Sequence, residues 1–315
     1  MKTIIFFILN LFLLKNHLLI SSKIKIYDLN SKKKISLLGG IFLILNISLA
    51  YALFYFEFAP YEHFYKINVI FLIFAVFIVG FVDDKIKINP SLRLFIIILI
   101  LFLFLQDKTY LIQNITFSFF NNYLFVINND YLSTFFTIFC FLCFLNALNF
   151  MDGINLQVIL YSIGCFVYFI TIQYSWFLFI LILSLIFFSY LNFKNRSFLG
   201  DSGVYILAIV ISLCAINLHN KNLLFADQII FLFLLPGLEL IRLFLERIYN
   251  KKNPLLGDHN HIHHLIKNKI KKGVVYIIIF VSFMPIILYE LNMSKLLIFL
   301  SMFSVYSIMI LYFKK

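Results

Sequence analysis

Charged residues are scarce in this sequence of 315 residues. Asp, Glu, Lys and Arg together make up 13% of the chain, about half of their usual share in soluble domains. Hydrophobic residues make up 63%. A soluble fold of this length cannot bury so much apolar surface, whereas a lipid bilayer can accommodate it. The composition therefore excludes a set of soluble domains and predicts a single polytopic membrane domain over residues 1–315.

Cysteine is scarce as well, and its four positions all lie within apolar runs: Cys140, Cys143, Cys165 and Cys214. Cys140 and Cys143 have the spacing of a redox motif, but neither a second pair nor a strand-turn context accompanies them. We expect buried thiols without a redox role.

Long apolar runs recur along the chain, and a spanning helix needs about 20 such residues. The pattern predicts an all-α integral membrane protein with about eleven transmembrane helices. The first run has bulky residues where a signal peptide has its small-residue cleavage site, so we interpret it as a retained span. The predicted spans are 3–20, 36–56, 67–82, 91–106, 131–148, 154–172, 175–193, 203–218, 225–247, 274–290 and 295–312.

The net charge of +12 is distributed unevenly between the predicted loops. With the N-terminus outside, twenty basic residues fall on the inner side and five on the outer side. Because inner loops carry the excess of Lys and Arg, this arrangement places the C-terminus in the cytoplasm. The positive charge therefore indicates topology and not nucleic-acid binding. The longest outer segment, 107–130, alternates in polarity and predicts a small hairpin.

Four polar motifs fall on successive inner loops. The first is Asp83-Asp84, at the end of a predicted span. A single acid there would suit a solvated loop. Two adjacent carboxylates repel each other unless a cation lies between them, and a hard divalent ion prefers oxygen ligands. The pair therefore indicates a cation site.

The second and third motifs are Asn146–Gly153 and Phe198–Gly203. Asn146 and Asn149 lie one helical turn apart, on the same face as Asp152. Asp201 follows a glycine at the start of another span. Helix capping is the alternative for both motifs. Three aligned polar groups at the membrane edge favour function over capping for the second motif, whereas the residues of the third motif do not separate the two. The functional alternative is a set of polar ligands at the membrane surface.

The fourth motif, His261-Ile262-His263-His264, lies in the largest inner loop. A zinc tract is the obvious alternative, but the partner ligands of usual zinc sites are missing. Imidazoles would bind phosphate equally well. If the inner loops converge, carboxylates within a basic rim suit a metal-bound, multiply anionic substrate.

The four motifs, in this order, resemble those of the polyprenyl-phosphate N-acetylhexosamine-1-phosphate transferases of glycosyltransferase family 4. This superfamily includes the enzymes that initiate O-antigen, enterobacterial common antigen and teichoic acid. The resemblance runs from about Asp28 to Leu265. Departures are Asn155 and Leu156, where the family has Asp and Gly, Val204, Glu239 in place of an Asp, and a shortened first inner loop.

The resemblance implies transfer of a sugar-1-phosphate from a UDP-sugar to polyprenyl phosphate, with release of UMP. It implies Mg²⁺ as cofactor, with Mn²⁺ as its substitute, and no nucleic acid. It also implies an active site on the cytoplasmic face of a bacterial inner membrane, with a homodimer among the expected partners. The implied catalytic residues are Asp83, Asp84, Asp201 and His263, with Asp201 and Asp84 as metal ligands. The implied nucleotide-sugar ligands are Asn149, Asp152, Gly153, Asn155, Phe198, His261 and His264. Lys87 and Arg93 would bind phosphate.

Three other functions compete with initiation of a cell-surface polysaccharide. The first is the phospho-MurNAc-pentapeptide translocase of the same superfamily. The second is a metal or proton transporter, although transport sites usually lie near the bilayer midplane and not at one face. The third is a non-catalytic lipid-binding relative, which Leu156 would suit.

Overall fold

The computed structural model describes most of the chain: residues 2–24, 27, 35–58, 62, 64, 66–119, 123–253, 260–270 and 272–314. The described residues are almost entirely helical. The helices are α1 Lys2–Ile24, α2 Gly39–Phe58, α3 Ile67–Ile86, α4 Pro90–Phe104, α5 Asp130–Met151, α6 Gln157–Ile172, α7 Trp176–Phe193, α8 Gly200–Asn220, α9 Ala226–Leu232, α10 Leu234–Tyr249, α11 Ile262–Lys269, α12 Val274–Glu290 and α13 Lys295–Lys314.

The prediction of an all-α membrane protein is confirmed. Within the described ranges, seven helices are long and apolar enough to cross a membrane, and an eighth span results if α9 and α10 are one. These two helices meet at an angle of 69°. Three other predicted spans correspond to the shorter apolar helices α4, α6 and α12. The count of eleven and the orientation stay predictions.

The helices form two compact units, which we describe separately. The first unit comprises Met1–Asp107 and Phe166–Ile211. In it α2 packs against α1 and α7, and α3 packs against α4. The residues Val204–Ile211 of α8 are each at most 1% exposed. A helix segment that is apolar and buried on all sides forms the core of a bundle.

The second unit comprises Lys108–Cys165 and Ser212–Lys315. Here α5 packs against α10, α9 against α12, and α13 against α11 and α12. The strands β2 (Asn114–Phe117) and β3 (Tyr123–Val126) pair antiparallel, with Asn114 opposite Val126. The hairpin predicted within 107–130 is thereby confirmed. The helix α11, in the predicted histidine loop, was not foreseen from the sequence.

Candidate active site

In the first unit, two helices start from a pair of short parallel strands. β1 (Ser36–Leu37) pairs in parallel with β4 (Ser197–Phe198), and each strand is followed closely by a helix, α2 or α8. The Ser197 hydroxyl donates to the carbonyl of Ser36 at 3.1 Å and accepts from the amide of Leu38 at 3.1 Å. The two helix starts are thus held side by side, and Asp201 lies at this junction.

Asp84, at the end of α3, caps the start of α8. Its Oδ1 accepts from the amide of Asp201 at 2.7 Å, and its Oδ2 accepts from the amide and hydroxyl of Ser202 at 3.1 and 2.6 Å. The first amides of a helix have no partner inside the helix, and an anion there is favoured by the helix dipole. Only 3% of Asp84 is exposed. Its carboxylate therefore fixes the position of Asp201.

Glycines allow these backbones to meet. A Cβ on Gly80 of α3 would lie 2.5 Å from the Cα of Ser202, and one on Gly40 of α2 would lie 2.2 Å from the Ser202 hydroxyl. Gly200 has φ +73°, in the left-handed region that other residues rarely adopt. The glycines of the sequence motifs are therefore required by close approach around Ser202.

The carboxyl groups of Asp83 and Asp201 lie beside each other. Asp83 accepts from the amide of Ile88 at 2.7 Å and from Arg93 Nη1 at 2.8 Å. The Nζ of Lys87 lies 3.7 Å from Asp201 Oδ2. Two neighbouring carboxylates repel each other, and a cation between them relieves that repulsion. The basic side chains of Arg93 and Lys87 thus lie beside the two acids Asp83 and Asp201. We call these four residues the acidic cluster.

The acidic cluster fits Mg²⁺, which is usually held by one or two protein carboxylates together with water and substrate phosphate. Asp201 is the more accessible member of the pair, since its side chain is 20% exposed against 2% for Asp83. Within the described part of the chain, no set of three or more His, Cys, Asp or Glu side chains is arranged to hold a metal ion. The ligand roles of Asp201 and Asp84 stay predictions.

Tyr205 is a residue of this region that the sequence reasoning missed. It lies one turn after Asp201 on α8, is fully buried, and interacts electrostatically with Asp201 and Arg93. The guanidinium of Arg93 lies 5.7 Å from the centre of its ring. The spacing of four residues between Asp201 and Tyr205 was the signal that could have indicated it, since such residues share a helix face.

In the second unit, the turn after α5 meets the histidine motif. Gly153 follows Asp152 in this turn, and a Cβ on Gly153 would lie 1.8 Å from His263 Nε2. The ring of Phe150 lies 5.3 Å from that of His261 and 4.8 Å from the guanidinium of Arg247. The sequence motifs at 146–153 and 261–264 are therefore in direct contact.

The three histidines are grouped at the start of α11. The ring of His263 lies 5.3 Å from that of His261 and 4.3 Å from that of His264. His263 is 1% exposed, and its Nε2 has no hydrogen-bond partner among the described residues. Burial, with His264, His261 and Lys267 nearby, lowers the pKa of His263 to about 2. His263 is therefore neutral at physiological pH. We call Gly153, His261, His263 and His264 the histidine cluster.

The segment between Gly153 and α6 differs from the related family in sequence but keeps a glycine-like backbone. Leu156, at the position of the family glycine, has φ +69°. Its carbonyl accepts from the amide of Leu160 at 2.8 Å, at the start of α6. The left-handed conformation costs roughly 1–2 kcal/mol for a residue with a side chain. Leu156 thus forms this turn at a cost in conformational free energy. Asn155 lies in the same turn.

The structure brings together two of the predicted motifs in each unit. Asp83, Asp84 and Asp201 meet in the first unit, and the motifs containing Gly153 and His263 meet in the second. Phe198 lies in β4 of the first unit and is half-buried. Asn149 and Asp152 lie at the end of α5, joined by a hydrogen bond of 3.2 Å between the Asp152 amide and the Asn149 carbonyl. The expected single pocket of all four motifs stays a prediction. Asp28, Lys32–Lys34 and Asp258 lie outside the described residues.

Comparison with known proteins supports the predicted class. Residues 66–219, just under half of the chain, match the model of glycosyl transferase family 4. This range contains Asp83, Asp84, Asp152 and Asp201 but ends before the histidine cluster of α11. The match supports the family resemblance predicted from the motifs: this region is similar to the family 4 glycosyl transferases.

One relative adds a particular activity to this class. The undecaprenyl-phosphate alpha-N-acetylglucosaminyl 1-phosphate transferase of Thermotoga maritima is 35% identical over 89 residues. The match covers 28% of this chain and 29% of the relative, so it spans less than a third of the relative's length. Over this range the chain is thus similar to a polyprenyl-phosphate hexosamine-1-phosphate transferase.

Proposed function

We propose that this membrane protein transfers an N-acetylhexosamine-1-phosphate from a UDP-sugar to undecaprenyl or another polyprenyl phosphate. A phosphate oxygen of the lipid attacks the phosphorus that carries the sugar, the bond between the two phosphates of the UDP-sugar breaks, and UMP leaves. The observation that carries the proposal is the pair of neighbouring acids Asp83 and Asp201, with Arg93 and Lys87 beside it, inside the region that matches family 4.

The acidic cluster suits the central difficulty of this reaction, which is repulsion between two anionic phosphates. Asp201 is the leading ligand for Mg²⁺, with Asp83 beside it and Asp84 holding its backbone. When bound, Mg²⁺ offsets the charge of the diphosphate and stabilises the leaving UMP. Arg93 and Lys87 bind phosphate oxygens as cations.

Asp83 serves to align the lipid phosphate more than to deprotonate it. A phosphate monoester has its second pKa near 6, so it is largely ionised at neutral pH without a base. Arg93 Nη1 holds the Asp83 carboxylate at 2.8 Å, which fixes its orientation. Alignment of two reactants can supply a large part of the rate enhancement by itself.

The histidine cluster suits the nucleotide-sugar side of the reaction. His263 is buried and neutral, so its Nε2 can exchange one hydrogen bond with a substrate without bringing charge into the site. The accompanying residues of this unit are Asn149 and Asp152 at the end of α5 and Asn155 in the turn that follows. These assignments extend the family resemblance to the second unit.

The second unit contains an apolar cavity that suits part of a polyprenyl chain. The cavity has a volume of about 260 Å³ and lies between α5, α8, α9 and α10, beside the bend between α9 and α10. Nearly all of its lining is apolar, which an isoprenoid chain requires and a sugar does not. The lining includes Phe139, Cys140, Cys143, Phe144, Ala215, Ile216, Phe233 and Leu240.

The proposed pathway is initiation of a cell-surface polysaccharide in a bacterial inner membrane. UDP-N-acetylglucosamine is the first donor to test, because the relative from Thermotoga maritima carries N-acetylglucosaminyl in its name. The test incubates purified protein with Mg²⁺, undecaprenyl phosphate and a panel of labelled UDP-sugars. We expect UMP release together with butanol-extractable label for one donor. UMP release without labelled lipid, or no reaction with any donor, would overturn the proposal.

A further inference from the structure

A buried polar cluster in the second unit joins three helices. It consists of Glu239 and Arg242 on α10 and Tyr306 on α13, and it reaches the start of α11. Arg242 Nη2 lies 2.8 Å from Glu239 Oε1, and the Tyr306 hydroxyl donates to Glu239 Oε2 at 2.5 Å. The same hydroxyl accepts from Arg242 Nε at 2.9 Å. We call these three residues the Glu239 clamp.

The Glu239 clamp holds the backbone at the start of the histidine helix. Glu239 Oε1 accepts from the amide of Ile262, the first residue of α11, at 2.8 Å. Arg242 Nη2 donates to the carbonyl of Asn260 at 2.7 Å. The residue at the N-cap position, His261, supplies no side-chain cap hydrogen bond. A carboxylate on a different helix therefore performs the capping that a local Ser or Asp usually performs.

The burial of these charges is costly, and their arrangement indicates a purpose beyond stability. Glu239 is 2% exposed. Burying an ion costs several kcal/mol, and an apolar replacement of a buried ion pair is often equally stable. What a network of directed hydrogen bonds adds is a single orientation of the parts that it joins. The part joined here is the backbone that carries His261 and His263, one of which contacts Gly153.

We propose that Glu239, Arg242 and Tyr306 are positioning residues that fix the start of α11 and thereby place His263 for the UDP-sugar. The inference rests on the proposed function for its substrate but on the clamp contacts for its geometry. It gives a role to α13, which lies outside the region matched to family 4. It also assigns a role to Glu239, which replaces the family's more usual acid at this position.

The test removes one hydroxyl and compares two tyrosines of α13. Tyr306→Phe keeps the ring but loses both hydrogen bonds of the hydroxyl. Tyr312→Phe is the matched control, because its hydroxyl makes no hydrogen bond among the described residues while its ring lies 4.6 Å from Lys269 Nζ of α11. We measure amide hydrogen exchange over Ile262–Lys269, together with the KM for the UDP-sugar and for polyprenyl phosphate.

We expect Tyr306→Phe to speed exchange in α11 by at least about tenfold, the effect of losing a hydrogen bond to a charged group. We also expect a severalfold higher KM for the UDP-sugar and an unchanged KM for the lipid. Tyr312→Phe should change neither. A variant that is merely less stable would lower the active fraction and leave both KM values unchanged, and that result would overturn the inference.

Failure of the proposed function is distinguishable from failure of this inference. If the wild-type protein turns over no UDP-sugar, the proposed function fails, while the exchange measurement still decides whether the clamp holds α11. Glu239→Gln is the second variant: it keeps an acceptor for the Ile262 amide but removes the charge that pairs with Arg242. Unchanged α11 exchange in both Tyr306→Phe and Glu239→Gln would overturn the inference.

Discussion

The acidic cluster of the first unit and the histidine cluster of the second handle buried polar groups in opposite ways. In the first, the carboxyl groups of Asp83 and Asp201 lie beside each other, and the side chains of Arg93 and Lys87 offset their charge. In the second, burial keeps His263 neutral. Charge is therefore concentrated in one cluster, where a metal and phosphates would be held, and avoided in the other, where a nucleotide-sugar would be recognised.

The two clusters also differ in how they are positioned. The acidic cluster is fixed by backbone contacts, with glycines around Ser202 and Asp84 capping α8. The histidine cluster is fixed by side chains at a distance, since the Glu239 clamp holds the start of α11. A backbone arrangement tolerates few substitutions at its glycines, whereas a side-chain clamp can be adjusted. The comparison predicts larger losses of activity for substitutions in the acidic cluster than for substitutions in the histidine cluster.

The largest effect is expected for Asp201→Asn. The amide keeps the size of the side chain but loses the charge that would hold Mg²⁺, and metal-bound charge stabilisation is worth several kcal/mol. We expect UMP release to fall by about a hundredfold or more, with little change in thermal unfolding. The control is Asp130→Asn, which alters a half-exposed acid paired with Lys108. Near-normal turnover of Asp201→Asn would remove this residue from the metal site.

A large effect is also expected for Gly153→Ala in the histidine cluster. The new Cβ would lie 1.8 Å from His263 Nε2, so the turn or the histidine must shift. We expect a loss of about 1–3 kcal/mol of unfolding free energy, as for other overpacked sites, and a higher KM for the UDP-sugar. Gly237→Ala is the matched control, because a Cβ there meets nothing within 4 Å. Equal behaviour of the two variants would contradict contact between the two motifs.

The sequence allowed much of the architecture to be predicted, whereas the contacts between pairs of motifs came from the structure. Apolar runs located the helices, because lipid requires every backbone group to be bonded within its own segment. Asp83 could be chosen because two adjacent acids at the end of a span repel each other unless a cation lies between them, and Asp201 was chosen through the family resemblance.

Other features depend on contacts that no local pattern indicates. Asp84 caps α8, a helix far away in sequence. Sequence spacing alone does not distinguish this capping role from metal binding. Tyr205 was missed because a tyrosine within an apolar run is usually a core residue. The helix α11 was missed because its short segment is polar, and its cap comes from Glu239 on another helix.

A loss of unfolding free energy similar to that of Gly153→Ala is expected for Ser202→Ala in the first unit. This change removes a hydroxyl that lies 2.6 Å from the buried Asp84 carboxylate. We expect a loss of about 1.5–3 kcal/mol, as for hydrogen bonds to charged groups. The control is Ser184→Ala on α7, where the hydroxyl donates to the neutral carbonyl of Ile180 at 2.8 Å. Its loss should be nearer to about 1 kcal/mol. Thermal unfolding in detergent measures both, and a larger loss for Ser184→Ala would contradict the capping role of Asp84.

The neutral state of His263 predicts a pH dependence of stability. The unfolded chain binds a proton at this side chain below its ordinary pKa of 6.5, whereas the folded chain does not until the pH approaches about 2. Above pH 6.5 His263 is neutral in both states and leaves the unfolding free energy unchanged. Below pH 6.5 the unfolding free energy falls by about 1.4 kcal/mol per pH unit. His263→Gln should flatten the decline of unfolding free energy between pH 6.5 and 4.5. An equally steep decline in the variant would show that another group is responsible.

The smallest effect is expected for Leu156→Gly, which restores the family residue. Glycine adopts φ +69° without strain, so the change recovers roughly 1–2 kcal/mol, but its greater freedom in the unfolded chain costs about 0.4–1 kcal/mol. We expect unfolding free energy to rise by about 1 kcal/mol or less, with the KM for the UDP-sugar changed at most severalfold. Leu156→Ala is the matched control, because it shortens the side chain and keeps the strain. If both variants lower the KM equally, the side chain of Leu156 and not its backbone limits the nucleotide-sugar, and the turn then contributes to donor choice.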